Sequence, residues 1–321
     1  MKKFSIVVPV YYNELNLPDT VPQLLALADS FPDTSLELIF VDDGSGDNSL
    51  SILLDFQSQH PKTVKVIKLT RNFGAMAAVQ SGLALASGDC AGVIAADLQD
   101  PPGLFVEMVE HWKKGTKAVF AVRADREESF LQKSVSNLYY ALVRRWAIHQ
   151  YPTGGFDFFL VDRQVVEEVN RIHEKNVNIM ALIFWLGFKP IFIPYVRRKR
   201  KKGKSHWTLG KKTKLFVDTF VAFSYFPIQV LSAIGFFVAF AAFCYGVLIF
   251  TYWLFYGVEV MGWVPTMIIL TFTSGIQMTM LGVLGEYLWR TLDETRSRPH
   301  YVVDEIFDSS DARDEYEKDG K

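Results

Sequence analysis

Hydrophobic residues in the first half of the chain follow two alternating periodicities. Five short apolar runs predict buried parallel strands over residues 4–10, 36–41, 64–69, 91–96 and 118–122. Between these runs, apolar positions recur at helical spacing, for example at Phe105, Met108, Val109 and Trp112. Alternation of strands and helices predicts an α/β fold with an open, doubly wound, mostly parallel sheet.

Two long uncharged stretches, residues 228–256 and 263–285, occupy the C-terminal third of the chain and predict helices over about 228–256 and 263–286. Each reaches the roughly 20 residues that a helix needs to cross a bilayer. Trp253, Tyr256 and Trp263 lie near their ends, where aromatic residues favour the membrane interface. We therefore expect a two-helix transmembrane hairpin rather than two helices buried in a soluble core.

The distribution of basic residues predicts the orientation of this hairpin. A dense Lys/Arg cluster lies within residues 197–214, three arginines follow the second stretch, and the connection 257–262 has neither Lys nor Arg. The positive-inside rule then places both termini in the cytoplasm. The short apolar run near the N-terminus does not have the form of a signal peptide. The two cysteines do not suggest a disulfide or a metal cluster. The net charge of −1 does not favour a nucleic-acid partner.

These patterns predict the organisation of the whole chain. We expect a cytoplasmic domain over 1–207, a juxtamembrane amphipathic helix over 208–226, two spans within 227–290 and a cytoplasmic, largely disordered tail over 291–321. Residues 129–148 combine apolar positions at helical spacing with basic residues. That segment fits an interfacial helix or an ordinary helix packed on the sheet.

Polar clusters follow four of the predicted strands. Ligands of open α/β sheets bind beyond the carboxyl ends of the strands, so we expect the clusters to converge on one crevice. Asp97, Gln99 and Asp100 carry the oxygen ligands that Mg²⁺ or Mn²⁺ prefers when it bridges protein to phosphate. Ala95 stands where such sites often have a further Asp, which predicts either a complete or a weakened diphosphate site. The clusters span residues 11–14, 42–45, 71–74 and 97–100.

Three of these segments together resemble the catalytic domain of glycosyltransferase family two: Val8-Pro9-Val10-Tyr11-Tyr12-Asn13-Glu14, Asp42-Asp43-Gly44-Ser45 and Asp97-Leu98-Gln99-Asp100-Pro101-Pro102. With the two C-terminal stretches, the chain is similar to the polyisoprenyl-phosphate branch, which includes bactoprenol glucosyltransferases and is related to dolichyl-phosphate mannose synthase. The resemblance implies a GT-A-like, Rossmann-like fold, a nucleotide-sugar donor and a divalent Mg²⁺ or Mn²⁺ ion.

The donor site is assigned from this resemblance together with the strand-end positions and charge. Asp97 and Gln99 are the expected metal ligands. The expected donor-binding residues are Pro9, Tyr11, Glu14, Asp43, Asn72, Ala96, Asp97, Gln99 and Arg123.

A lipid monophosphate acceptor is mostly dianionic at neutral pH and already nucleophilic, so positive charge matters more than a strong base. The expected acceptor-phosphate residues are Arg123, Arg126, Arg200, Ser205 and His206. His206 replaces the Lys that ends a similar motif in relatives, and it titrates near neutrality. The expected catalytic residues are Asp157, Asp97 and Arg200, with Asp157 either an acid–base group or a group that orients sugar hydroxyls or an arginine.

The predicted function is inverting transfer of a hexose from a UDP-sugar to undecaprenyl or another polyprenyl phosphate at the cytoplasmic membrane face. The family resemblance favours glucose as the hexose. A processive polysaccharide synthase is a weaker alternative, because residues 142–146 lack the Gln of Gln-x-x-Arg-Trp. A lipid-binding or translocating scaffold with a weakened donor site is the non-enzyme alternative, motivated by Ala95. Translocation through two spans would require a homo-oligomer.

Overall fold

A computed structural model describes residues 1–125, 157–172, 178–198, 226–256, 262–296 and 298–309, together with positions 141, 144, 145, 152 and 174. The chain divides into two compact units. The first comprises Met1–Thr219 and Pro299–Lys321, and the second comprises Phe220–Arg298.

The first unit is built on one eight-stranded sheet. In chain order its strands are β1 (Lys2–Val10), β2 (Thr34–Asp42), β3 (Val64–Leu69), β4 (Cys90–Val93), β5 (Ala118–Asp125), β6 (Phe158–Asp162), β7 (Ile191–Val196) and β8 (Val303–Phe307). Their order across the sheet is β7-β5-β6-β4-β1-β2-β3-β8. Each of the five apolar runs predicted as strands lies wholly or partly in one of them.

The sheet is more mixed than predicted. Strands β4, β1, β2 and β3 are neighbours and all parallel, as in a doubly wound fold, and β5 is parallel to β7. Strand β6 separates β4 from β5 and is antiparallel to both, and β8 is antiparallel to β3. An apolar run such as Phe158–Asp162 specifies burial but not direction, so the sequence pattern could not distinguish these alternatives.

Helices cover the sheet on both faces. They are α1 (Leu17–Leu25), a 3₁₀ helix (Ala26–Ser30), α2 (Ser49–Gln59), α3 (Ala75–Leu85), α4 (Leu104–Lys113), α5 (Arg163–Arg171) and α6 (Ile179–Trp185). Helix α4 buries the predicted stripe of Phe105, Met108, Val109 and Trp112. It packs closely because Gly92 of β4 lacks a side chain: a Cβ there would lie 2.3 Å from the Phe105 ring.

Strand β8 corrects the prediction of a disordered tail over residues 303–307. It pairs with β3, with Ile67 opposite Ile306, and the Lys68 ammonium lies 2.6 Å from the Asp304 carboxylate. The edge of β3 offers unpaired backbone groups, and acidic residues that favour disorder in isolation here meet lysines of that strand. Residues 310–321 lie outside the described part of the chain.

The second unit contains two long helices, α7 (Phe226–Tyr256) and α8 (Trp263–Thr295). They contain the two uncharged stretches of the sequence, and α8 continues about ten residues beyond the second one. In the described part of the chain, one segment, Ile228–Leu248 of α7, is long and apolar enough to cross a membrane. The predicted two-span hairpin is therefore not confirmed. The predicted helices over 129–148 and 208–226 fall almost entirely outside the described residues.

Candidate active site

The polar clusters predicted at strand ends do lie at one edge of the sheet. Strands β1 to β4 run parallel in neighbouring positions, so the segments that follow them leave the sheet at the same edge. Strand β6 runs the opposite way, which brings Asp157, the residue before it, to that edge as well.

The loops after β1 and β2 are joined by hydrogen bonds. The Tyr12 amide donates to the Ser45 hydroxyl at 3.2 Å, and the Asn48 amide donates to the Glu14 carboxylate at 3.0 Å. The Tyr11 ring packs edge-to-face against the Tyr12 ring at 4.7 Å. The structure thus assigns Glu14 a role in holding the two loops together. Pro9, Tyr11 and Glu14 are half-buried.

Two site residues have left-handed backbone conformations. Tyr12 and Leu98 each have φ of 53°, and they are the non-glycine residues with positive φ in the described part of the chain. Such conformations cost free energy and persist where the surrounding structure enforces them, often at functional sites. Their positions in the loops after β1 and β4 mark the same edge of the sheet.

Asp43 is buried and orders the loop after β3. Its carboxylate accepts hydrogen bonds from the Phe73 amide at 2.7 Å, the Gly74 amide at 2.9 Å and the Asn72 side-chain amide at 3.0 Å. Burial raises the pKa of Asp43, and the bonds from the two backbone amides oppose that rise. The predicted nucleoside ligand Asp43 therefore acts, in this structure, on the loop that carries Asn72.

Gly44 permits the loops after β2 and β3 to touch. Its φ is +69°, and a Cβ at this position would lie 2.7 Å from the Arg71 carbonyl carbon and 2.8 Å from the Asn72 nitrogen. A side chain here would meet both backbone strain and a steric clash.

The loop after β4 carries the predicted metal ligands. The Thr20 hydroxyl donates to the Ala96 carbonyl at 2.8 Å and fixes the start of the loop, with Ala96 buried. The half-buried Asp97 accepts from the Gln99 amide at 3.2 Å. In the described ranges, no group of three or more His, Cys, Asp or Glu side chains is arranged to hold a metal ion.

The same loop is fastened to the segment that follows β7. The Arg198 amide donates to the Gln99 carbonyl at 2.9 Å, and the Gln99 side-chain amide donates to the Arg198 carbonyl at 3.3 Å. Asp100 is fully buried and accepts a hydrogen bond from the Tyr195 hydroxyl. Arg197 forms an ion pair with Asp100, with 3.4 Å between Nε and Oδ1.

Arg123 and Asp157 form an ion pair beside Asp100. Arg123 Nη2 lies 2.5 Å from Asp157 Oδ2, and Arg197 Nη2 lies 4.0 Å from that same oxygen. Burial alone would lower the pKa of Arg123, but Asp157 and Tyr195 outweigh it and raise that pKa. Burial and the neighbouring Asp100 raise the pKa of Tyr195, so its hydroxyl stays protonated at neutral pH.

Residues 5–169 match the sequence model of the family described as glycosyl transferase family 2. The chain belongs to this family. The GT-A-like α/β fold predicted for it is confirmed, in the mixed form described above.

Relatives of this glycosyltransferase match almost its whole length. It is 38% identical over 306 residues to the uncharacterized glycosyltransferase YkcC of Bacillus subtilis (strain 168), covering 95% of this chain and 94% of that protein. It is 32% identical over 302 residues to the SfII prophage-derived bactoprenol glucosyl transferase of Shigella flexneri, covering 94% and 97%. The resemblance to the bactoprenol glucosyltransferases is thereby confirmed.

Among solved structures, glucosyl-3-phosphoglycerate synthase from Mycobacterium tuberculosis, in complex with Mn²⁺, UDP and glucosyl-3-phosphoglycerate, has a TM-score of 0.48. The identity is 18%, and the match covers 68% of this chain and 80% of that one.

The structure brings some predicted residues of the glycosyltransferase together and leaves others outside the described part. Asp97, Gln99, Arg123 and Asp157 all belong to the strand-end edge. The predicted residues that lie outside the described ranges are Arg126, Arg200, Ser205 and His206. Sequence reasoning assigned no role to Tyr195 or Arg197, although Tyr195 lies in an apolar run and Arg197 begins the basic cluster.

Proposed function

We propose that this glycosyltransferase transfers glucose from UDP-glucose to a polyprenyl phosphate at the cytoplasmic membrane face, with inversion at the anomeric carbon. The observation that carries the proposal is the similarity to bactoprenol glucosyl transferases over 94% of this chain. A match of that extent includes both the sheet unit and the long helices. The similarity therefore supports a lipid acceptor as well as a sugar donor.

The donor side of the proposal rests on the loop after β4. Its carboxylate and amide oxygens fit a hard divalent ion, which commonly takes one or two protein carboxylates and completes its coordination with phosphate oxygens and water. Asp97 and Gln99 would hold Mg²⁺ or Mn²⁺, and the ion would neutralise charge on the leaving diphosphate. Asp43 keeps the neighbouring loop in place for the nucleoside.

The acceptor side rests on the arginines. A polyprenyl phosphate is mostly dianionic at neutral pH, so its oxygen can attack the anomeric carbon without a strong general base. Arg123 and Arg197 would hold that phosphate, since a guanidinium can donate two hydrogen bonds to one phosphate group. Without ligand, Asp157 orients Arg123 through the ion pair. When a phosphate oxygen takes its place, the Asp157 carboxylate would instead orient sugar hydroxyls.

In the proposed membrane topology, both termini lie in the cytoplasm, and α7 and α8 are the two spans. Helix α7 contains the candidate span Ile228–Leu248, and the basic residues that precede it support the cytoplasmic orientation. The connection between the helices, residues 257–262, would face the other side.

Transfer to lipid tests the activity directly. Full-length protein in detergent is incubated with labelled UDP-glucose, undecaprenyl phosphate and Mg²⁺ or Mn²⁺, and label is measured in the organic phase. We expect labelled lipid, with other labelled UDP-sugars poorer donors. The Asp97→Ala variant should abolish transfer, whereas Asp55→Ala, which removes an exposed carboxylate of α2, should not. Absence of transfer from every sugar nucleotide would overturn the enzyme assignment and favour the scaffold alternative.

A further inference from the structure

A chain of buried polar contacts connects Arg123 and Arg197, the arginine cluster, to the loop after β4, residues 94–103, which we call the donor loop. Arg123 of β5 lies opposite Tyr195 of β7 in the parallel register, and the Tyr195 hydroxyl donates to Asp100. Tyr195 is 6% exposed and Asp100 is 0% exposed. Arg197 lies on the other side of Asp100, at 3.4 Å. The Asp100 carboxylate thus contacts Tyr195 and Arg197 directly, and Tyr195 is in turn the neighbour of Arg123 across β5 and β7.

The donor loop therefore has two faces. Asp97 is a half-buried donor-side carboxylate, and Asp100, three residues later, points into the arginine cluster. The backbone between them is fixed by the left-handed Leu98 and by the two hydrogen bonds between Gln99 and Arg198. A displacement of the donor face would move the arginine cluster with it.

Asp157 indicates what the two arginines can bind. Its carboxylate oxygen lies between Arg123 and Arg197, which is a position that a phosphate oxygen can also take. Asp157 is about half exposed, whereas Arg123 is 12% and Arg197 is 28% exposed. A phosphate oxygen can therefore replace the exposed Asp157 carboxylate between two guanidinium groups that are themselves more buried.

We propose that Tyr195 and Asp100 are positioning residues for the acceptor phosphate, because they fix Arg123 and Arg197 relative to the donor loop. This inference rests on the proposed function, since the anion it assigns to the arginines is the polyprenyl phosphate. The tyrosine hydroxyl and the Asp100 carboxylate do not touch the reacting atoms. They set the distance between the acceptor-phosphate site at the arginines and the donor-diphosphate site at the donor loop.

The hydrogen bond between Tyr195 of β7 and Asp100 of the donor loop could instead serve only to stabilise the fold. Its loss would then weaken donor binding and acceptor binding together. The positioning role instead predicts a selective effect on the acceptor. Tyr195→Phe removes only the hydroxyl, and Tyr301→Phe is a matched control, because Tyr301 is a half-buried tyrosine outside this cluster.

The experiment compares wild type, Tyr195→Phe, Asp100→Asn and Tyr301→Phe as full-length proteins in the same detergent. Transfer kinetics give the KM for undecaprenyl phosphate and for UDP-glucose separately. Binding of farnesyl phosphate, inorganic phosphate and UDP is measured by calorimetry without turnover, and thermal unfolding gives Tm. Farnesyl phosphate and inorganic phosphate distinguish recognition of a lipid phosphate from recognition of any phosphate.

We expect Tyr195→Phe to raise the acceptor KM and to weaken farnesyl phosphate binding about tenfold, which corresponds to about 1.4 kcal/mol. UDP binding and the donor KM should stay within about twofold of wild type, a difference of about 0.4 kcal/mol. Asp100→Asn should act in the same direction, and Tyr301→Phe should match wild type. Parallel losses of UDP and farnesyl phosphate binding, or unchanged binding of both, would refute the positioning role. Selective loss of farnesyl phosphate binding in a protein without transfer would preserve it while rejecting the proposed function.

Discussion

The Asp43→Asn substitution tests whether one buried carboxylate holds the loop that follows β3. In the wild type, Oδ1 accepts from the Phe73 amide, and Oδ2 accepts from the Gly74 amide and the Asn72 side chain. Asparagine has nearly the same shape but only one acceptor oxygen. Whichever way its amide turns, its NH₂ group faces at least one backbone N–H.

The magnitude follows from these contacts. A buried donor left unsatisfied costs about 1–3 kcal/mol, and here one donor also faces another donor. We expect a loss of about 2–3 kcal/mol in the free energy of unfolding of the sheet unit. For a domain of this size, that corresponds to a fall in Tm of roughly 5–10 °C.

The assay has three readouts on full-length protein. Thermal unfolding measures the loss of stability, hydrogen exchange of the peptide that contains Phe73 and Gly74 reports on the loop, and calorimetry measures UDP binding. We expect a lower Tm, faster exchange in that peptide and weaker UDP binding. Asp55→Asn, on the surface of α2, serves as the control and should leave all three unchanged. Wild-type exchange and Tm in Asp43→Asn would show that the three hydrogen bonds do not order the loop.

Three further outcomes are expected. Gly44→Ala should lower Tm and UDP affinity together, because its Cβ would lie 2.7 Å from the Arg71 carbonyl carbon; an unchanged Tm would contradict this. Burial would raise the pKa of Glu37, but hydrogen bonds led by that from Ser5 lower it. The stability that Glu37 contributes is therefore complete above its ordinary pKa of 4.5 and is lost as the pH falls through its lower folded pKa. In Glu37→Gln, the free energy of unfolding should depend less on pH between about pH 5 and 3 than it does in the wild type. Chelation by EDTA should abolish transfer, with activity restored by Mn²⁺ or Mg²⁺; full activity in EDTA would remove the metal from the proposal, whatever the effect of Asp97→Ala.

The apolar runs were sufficient to locate five strands because complete burial leaves a short uninterrupted hydrophobic segment. Strand β7 was missed although its residues are apolar, because Pro194 interrupts the run and argues against a central strand. The structure places β7 at the outer edge of the sheet, where proline is tolerated, with Ile193 and Tyr195 buried and Phe192 and Val196 exposed. The lysine partners of β8 lie far away in the sequence, so local composition indicated disorder instead.

The position of the candidate residues at strand ends was predictable from the sequence, but the contacts that each residue makes were not. Strand ends mark the edge where ligands bind, and Asp97, Gln99, Arg123 and Asp157 lie there. Whether Asp43 faces a ligand or the protein depends on the backbone amides of a distant loop, which a motif does not encode. The contact between Tyr195 and Asp100 likewise requires the parallel register of β5 and β7.

The pairing of β8 with β3 has a consequence for biosynthesis. Strand β3 is complete early in translation, but its outer edge stays open until residues 303–307 leave the ribosome, after both long helices have been made. An open strand edge is a site for unwanted pairing with other chains. The sheet therefore keeps an uncovered outer strand while the two long helices are being synthesised. Covering the outer edge of β3 therefore requires residues 303–307, which follow both long helices in the chain.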